Sequence, residues 1–288
     1  MATYGSTTVA ARPATGTWHE DLRAVRVVWK RELIRFSRDR VRIATSLAQP
    51  VLYLFIMGTG LSSLTQSTQG DNFDYRTFMF PGIIAMTVMF TAIFSAVSIV
   101  WDREFGFLRE MLVAPVGRGA IVLGKCLGGA TVATVQGAIV LVLAGLVHIP
   151  YSPVLLLTLM GVMALSAFAL TALGVVLASR MQRVESFGIV VQFFVMPMFL
   201  LSGALFPLTR LPTWLQVLTR IDPLTYAVDP MRRAVFSHVQ ASATARQTLN
   251  PGVTWFGWHV PAGLELVAVA VLGIVALAVA VNQFSRTE

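Results

Sequence analysis

The run Gly119-Ala120-Ile121-Val122-Leu123-Gly124-Lys125-Cys126 fits G-x-x-x-x-G-K, the spacing with which a backbone loop cradles phosphates. That chemistry also needs a Ser or Thr hydroxyl for magnesium and a buried strand before the loop. Here Cys126 stands at the hydroxyl position, an arginine-containing loop precedes and an apolar helix follows. Nucleotide binding is therefore excluded at this run, and no other phosphate loop occurs, so the chain does not hydrolyse ATP alone. The same glycines, written Gly124-x-x-x-Gly128, suit a seam where two membrane helices approach closely.

Other reactive residues are sparse. Cys126 is the single cysteine, which excludes an internal disulfide and offers no metal cluster. His19, His148, His238 and His259 are scattered without ligand spacing and read as loop or interfacial residues. Polar groups inside apolar stretches are Gln49, Gln136, Gln192, Ser202 and Glu265, with Lys125 near an end. Ion-coupled carriers place carboxylates or broken helices at the bilayer midplane. Glu265 falls one turn inside the last apolar stretch and reads as an interfacial charge rather than a proton relay. Any transport by such a chain would draw its energy from elsewhere.

The elements that must position these residues follow from composition. Of 288 residues, 56% are hydrophobic and 12% charged, with mean hydropathy +0.71. Soluble domains carry roughly 25% charged residues, so the solvent for this chain is a bilayer. The net charge of +8 sits mainly beside apolar stretches, where it sets topology and meets lipid headgroups rather than nucleic acid. Six stretches, at about 43–64, 78–101, 121–147, 154–178, 187–206 and 261–282, each approach the ~20 residues needed to span. Arginine and lysine crowd the segment before the first stretch and the loops after the second and fourth. The positive-inside rule then puts both termini in the cytoplasm. Arg210, Arg220, Arg232, Arg233 and Arg246 dissent, because they fall on the segment expected outside.

Four segments outside the spans carry further signals. Residues 1–17 are small and polar, without an apolar core, and read as a flexible cytoplasmic tail rather than a signal peptide. Over 18–42, Trp18, Leu22, Val25, Trp29, Leu33 and Phe36 form one stripe among arginines, predicting an amphipathic elbow helix in the headgroup plane. Residues 102–115 predict a short cytoplasmic helix with protruding Phe105, Leu108 and Leu112, ended by Pro115, which suits a docking surface for a partner. Between 206 and 236, Pro212 precedes one amphipathic run and Asp222-Pro223 precedes another. These predict two short helices in or dipping into the outer interface, capping a cavity or pathway. Pro50 and Pro197 are expected to kink the first and fifth spans.

Three blocks resemble the type-2 ABC exporter permeases, particularly their daunorubicin-resistance-like and nodulation-exporter-like members. They are Asp102-Arg103-Glu104-x-Gly106 through Leu112-x-x-Pro115 to Gly124-Lys125; Pro197 through Ser202-Gly203 to Phe206-Pro207, then Leu211-Pro212-x-Trp214; and Asp222-Pro223-Leu224-Thr225-Tyr226 with Arg232 soon after. The resemblance implies an all-α integral membrane fold: an elbow helix, six spans and two short outer helices between spans five and six. It implies a single transmembrane domain over 43–288, and a coupling helix at 102–115 docking in a groove of a separate P-loop ATPase subunit. Asp102, Arg103, Glu104, Phe105, Gly106, Leu108, Arg109, Leu112 and Pro115 would belong to that coupling helix. Ser202, Gly203, Phe206, Pro207, Pro212, Trp214, Pro223 and Tyr226 would form an outer gate. Two permeases, identical or related, would join two ATPases, which bind ATP and Mg while this chain binds neither. The setting would be a bacterial inner membrane, and the substrate an amphiphile such as a drug, polyketide, lipid or glycolipid. A proton-coupled multidrug carrier and a non-transporting membrane scaffold are the rival readings.

Overall fold

The computed structural model describes residues 18–60, 75–106, 116–147, 149–208, 211–239, 249, 252–255 and 258–286. A long apolar stretch in lipid must satisfy its backbone internally, and a helix does so within one segment. Among the described residues, six helices are long and apolar enough to cross a membrane: Ile43–Gly60, Tyr75–Glu104, Arg118–Val147, Pro153–Ser179, Val184–Leu201 and Ala262–Arg286. We call them spans one to six. Before them lies the elbow helix, Trp18–Arg38, and between spans five and six lie the hairpin helices Thr213–Ile221 and Thr225–His238. The strands described are Thr254–Trp255 and Trp258–His259, paired antiparallel with Trp255 opposite Trp258. The all-α membrane fold is as expected.

Several boundaries differ from the sequence reading, each for a local reason. The elbow ends at Arg38 rather than 42, and a new helix, Arg40–Leu52, leads into span one. Pro50 does perturb that span, since its ring removes a backbone donor. The helix passes into a wider π turn at Tyr53–Met57. Span two runs through Glu104, so Asp102, Arg103 and Glu104 form its last turn instead of opening a separate coupling helix. The chain leaves that turn at Gly106, whose φ of 81° is open to glycine at no steric cost. Leu108, Arg109, Leu112 and Pro115 lie outside the described residues, as do the tail 1–17 and His148. Span five stops at Leu201, short of 206, because Gly203 turns the chain with φ 72°.

Span two is the centre of the bundle, with 78% of its apolar window buried against 17% for span one and 22% for span five. Its fully buried Phe78, Met79, Phe80, Met86 and Met89 pack on spans three and four, and span four packs on span six. The starts of spans one, three and five and the ends of spans two, four and six gather at the elbow end. The hairpin helices close the other end, so two candidate sites lie at opposite ends of one core.

Candidate functional site at the two ends of the bundle

At the elbow end, span three presents no side chain at Gly124 and Gly128. A Cβ on Gly124 would lie 2.8 Å from the Val28 Cβ, and one on Gly128 2.7 Å from the Glu32 Cβ. The helix seated against these glycines is therefore the elbow, not a second span as the spacing suggested. Trp29 Nε1 donates to Thr131 Oγ1 at 3.1 Å, and the Gly117 amide donates to Asp21 Oδ1 at 2.7 Å. The latter places a carboxylate at the start of the span-three helix, where the helix dipole favours it. Along the predicted stripe, Trp18 and Leu22 are exposed, while Glu32, outside the stripe, is buried.

The Glu32 carboxylate meets a buried charge cluster. Lys125 Nζ lies 3.2 Å from Glu32 Oε1, 2.7 Å from Asp102 Oδ2 and 3.1 Å from Ser98 Oγ. Arg31 Nη2 reaches the same Asp102 oxygen at 2.8 Å. Two cations thus face two carboxylates, and the cluster is formally neutral. Such burial adds little net stability, but loss of one member leaves a charge without its counterion. The phosphate-loop-like run lies within one continuous helix, Arg118–Leu141, with its lysine held in this cluster.

Three consecutive residues at the end of span two bind four other elements. Asp102 takes Lys125 of span three and Arg31 of the elbow. Arg103 Nη1 donates to the carbonyls of Ser179 at 2.9 Å and Met181 at 2.7 Å, where span four ends. Those carbonyls have no helical partner, and a cation there also meets the negative end of the helix dipole. Glu104 Oε2 accepts from the Val184 amide at 3.0 Å, the first residue of span five. Phe105, next along, is 66% exposed and lies edge-on to Trp101 at 6.2 Å. Beside it runs a groove of about 510 Å³, bounded by Arg31, Ile34, Arg35, Arg38, Trp101, Asp102 and Phe105. The Arg35 guanidinium sits 4.8 Å from the Trp101 ring centre. Of the expected coupling residues within the described chain, Phe105 and Gly106 are outermost. Asp102, Arg103 and Glu104 direct hydrogen bonds into the protomer.

At the hairpin end, the expected gate residues are held by short local bonds. Ser202 Oγ donates to the Phe199 carbonyl at 2.7 Å and accepts from the Ala204 amide at 3.2 Å. The Gly203 carbonyl accepts from Arg232, whose buried guanidinium also lies 4.1 Å over the Phe78 ring. Burial lowers the Arg232 pKa to about 10, against the raising effects of Asp229 and Tyr75. Phe206, Pro207 and Pro223 are half-buried, Pro212 is exposed, and Trp214 is 66% exposed. Burial pushes the Asp222 carboxyl up to about 7, opposed by its bonds from the Leu224 amide at 3.0 Å and the Thr225 hydroxyl at 3.3 Å. Tyr226 Oη donates to the Arg220 carbonyl at 2.7 Å and accepts from Trp255 Nε1 at 3.1 Å. Only the first hairpin helix presents an exposed apolar face, through Trp214, Val217, Leu218 and Ile221. The second packs against spans two, four and six.

Glu265 lies in the first turn of span six. It is fully buried, with Arg233 Nη2 at 3.1 Å, and the same nitrogen lies 2.5 Å from Asp229 Oδ2. This also accounts for part of the arginine excess that opposed the topology rule, because Arg232 and Arg233 are tied to protein groups. No local pattern in the sequence foretold these pairs, since 32 positions separate Arg233 from Glu265 and 93 separate Glu32 from Lys125. The one available signal was the presence of Lys125 and Glu265 inside apolar stretches, which obliges a partner.

Comparison with known proteins places this arrangement. The family model described as ABC-2 type transporter matches residues 23–236. The chain is 31% identical over 228 residues to nodulation protein J of Rhizobium meliloti (strain 1021), covering 78% of this chain and 83% of that one. It is 27% identical over 214 residues to the putative transport permease ycf38 of Cyanophora paradoxa, covering 74% and 73%. Identity to the probable multidrug ABC transporter permease YbhR of Escherichia coli (strain K12) is 34% over 160 residues, or 55% and 43% of the two chains. The matched stretch runs from the elbow, through the span-two turn, to the second hairpin helix, and the chain accordingly belongs to the ABC-2 type transporter family, as the membrane permease subunit of an ABC exporter.

Proposed function

We propose that this permease moves an amphiphile outward across a bacterial inner membrane, with both termini and the elbow in the cytoplasm. Two copies work with two P-loop ATPase subunits, which bind the ATP and Mg, and the drive arrives at the turn after span two. The observation that supports this best is the three-way attachment of Asp102, Arg103 and Glu104 beside exposed Phe105. A push on the 105–115 segment reaches the elbow and span three through Asp102, span four through Arg103 and span five through Glu104. Span five in turn carries the Ser202–Pro207 turn, whose Gly203 carbonyl is held by Arg232. Closure of the ATPases is thereby converted into movement at the hairpin, which acts as the outer gate.

The expected result for Phe105→Ala combined with Leu108→Ala is an assembled complex that still hydrolyses ATP. Its ATP-driven export of a fluorescent amphiphile from proteoliposomes should fall by about tenfold or more, the equivalent of ~1.4 kcal/mol of lost coupling. Export unchanged from wild type would overturn the assignment of this turn.

A further inference from the structure

The second hairpin helix, the segment 252–253 and span six meet around one guanidinium that serves two acids. Arg233 Nη2 lies 2.5 Å from Asp229 Oδ2 and 3.1 Å from Glu265 Oε1. The same Asp229 oxygen accepts from the Val253 amide at 3.1 Å. Gly252, with φ 72°, lets the backbone close over the arginine, since a Cβ there would lie 2.7 Å from that Nη2. Glu265 Oε2 is buried and, among the described residues, receives no hydrogen bond. The Asp229 and Glu265 carboxyls nevertheless lie within hydrogen-bonding reach of each other. Two carboxylates have only lone pairs to offer, so such a contact needs a hydrogen between them.

Charge points the same way. From the hairpin helix, Asp229, Arg233 and Tyr226 face Glu265, and Tyr226 spends its hydroxyl on the Arg220 carbonyl. Arg232 acts on Asp229 from farther off, with its guanidinium on the Gly203 carbonyl and the Phe78 ring. Span four, packed along span six, has no ionisable side chain, and Arg118 and Lys125 of span three lie at the elbow end. His259, on the strand before span six, is exposed. Two ionised acids on one cation would leave a negative charge in excess beside the fully buried Glu265, which is expensive.

We infer that Asp229 and Glu265 hold one proton between them, a proton-binding site that latches the second hairpin helix to span six. The proton cancels the excess charge and supplies the missing hydrogen. Among the described residues the other buried carboxyls are Asp222, bonded within its own turn, and Glu32 and Asp102 at the elbow end. The proton is therefore held in place rather than relayed across the bundle. The latch requires neither a direction nor an energy source for transport.

The test follows denaturation of the full permease chain in detergent against pH, for wild type and Glu265→Gln. A glutamine can turn its carbonyl to Arg233 and its N–H to Asp229, as the protonated acid does. Unfolding frees the Glu265 proton once the pH exceeds the ordinary glutamate value of about 4.3. Wild type should therefore lose stability relative to Glu265→Gln as the pH rises from about 5 to about 8, by up to about tenfold per pH unit in the unfolding equilibrium. Burial pushes the Asp222 carboxyl up to about 7, but its slope is common to both proteins and cancels. Asp229→Asn leaves Glu265 to ionise against Arg233 alone and should lose the same slope, so it decides the matter if Glu265→Gln fails to fold. A wild-type profile parallel to that of either variant would overturn the site. So would a wild type that gains on the variants as the pH rises, because Glu265 would then be an ionised partner of Arg233.

Discussion

Lys125 lies between two carboxylates contributed by different elements, in a span whose other charge is Arg118 at its start, and its side chain is only 2% exposed. A lone ammonium at that depth would be expensive, so the position demands partners, and Glu32 and Asp102 supply them. Removing the lysine leaves both acids buried, with Arg31 alone to offset them. Lys125→Met should therefore destabilise the folded permease by roughly 3–5 kcal/mol, the range for breaking a buried pair. Denaturation in detergent would register it as a lower midpoint. Adding Glu32→Gln and Asp102→Asn should recover part of the loss, because no buried carboxylate is then left uncompensated and the Arg31 side chain, 41% exposed, can meet water. A triple variant no more stable than the single one would show that Lys125 acts through packing instead. The lysine was conspicuous in the sequence, but its partners were not, because Glu32 falls outside the apolar stripe by which the elbow was recognised.

At the scale of elements, the elbow is a clamp on span three. Its seat depends on two positions with no side chain, and a leucine at Gly128 would collide with the Glu32 stem. Overpacking of a close contact costs about 1–3 kcal/mol, enough to lift the elbow without unfolding six hydrophobic spans. For Gly128→Leu the expected outcome is a normally inserted protein whose elbow is cut faster by protease and whose ATP-driven export falls. Unaltered cleavage of the elbow would argue that the seat is dispensable. The existence of the elbow and of the hairpin helices was legible, since stripe periodicity and Pro212 and Pro223 are local signals. Their partners were decided by packing. The second hairpin helix is buried because Val228, Met231, Val235 and Phe236 find the core, not because its sequence alone required it.

Across the whole molecule, spans one and five show the lowest buried shares of the six, and each turns an amide outward, Gln49 and Gln192. Tyr53 of span one meets Phe199 of span five at 6.0 Å, which makes the two spans neighbours on one face. Large apolar side chains, including Phe193 at 73% exposure, continue that face. A second copy seated there predicts that Phe193→Cys, in native membranes and under mild oxidation, gives a disulfide-linked pair of permeases. Only single chains after oxidation would place the contact elsewhere. The sequence by itself determined the solvent, the six stretches long and apolar enough to cross, and the family, because hydropathy and short blocks are local properties. Only the tertiary structure decided which charges are neutralised inside the protein. Lys125 with Glu32, Arg233 with Glu265 and Arg232 with the Gly203 carbonyl are all set by how helices distant in the chain come to pack. It also decided that Asp102, Arg103 and Glu104 hold the elbow and spans three, four and five together, since each reaches a partner that no spacing along the chain could reveal.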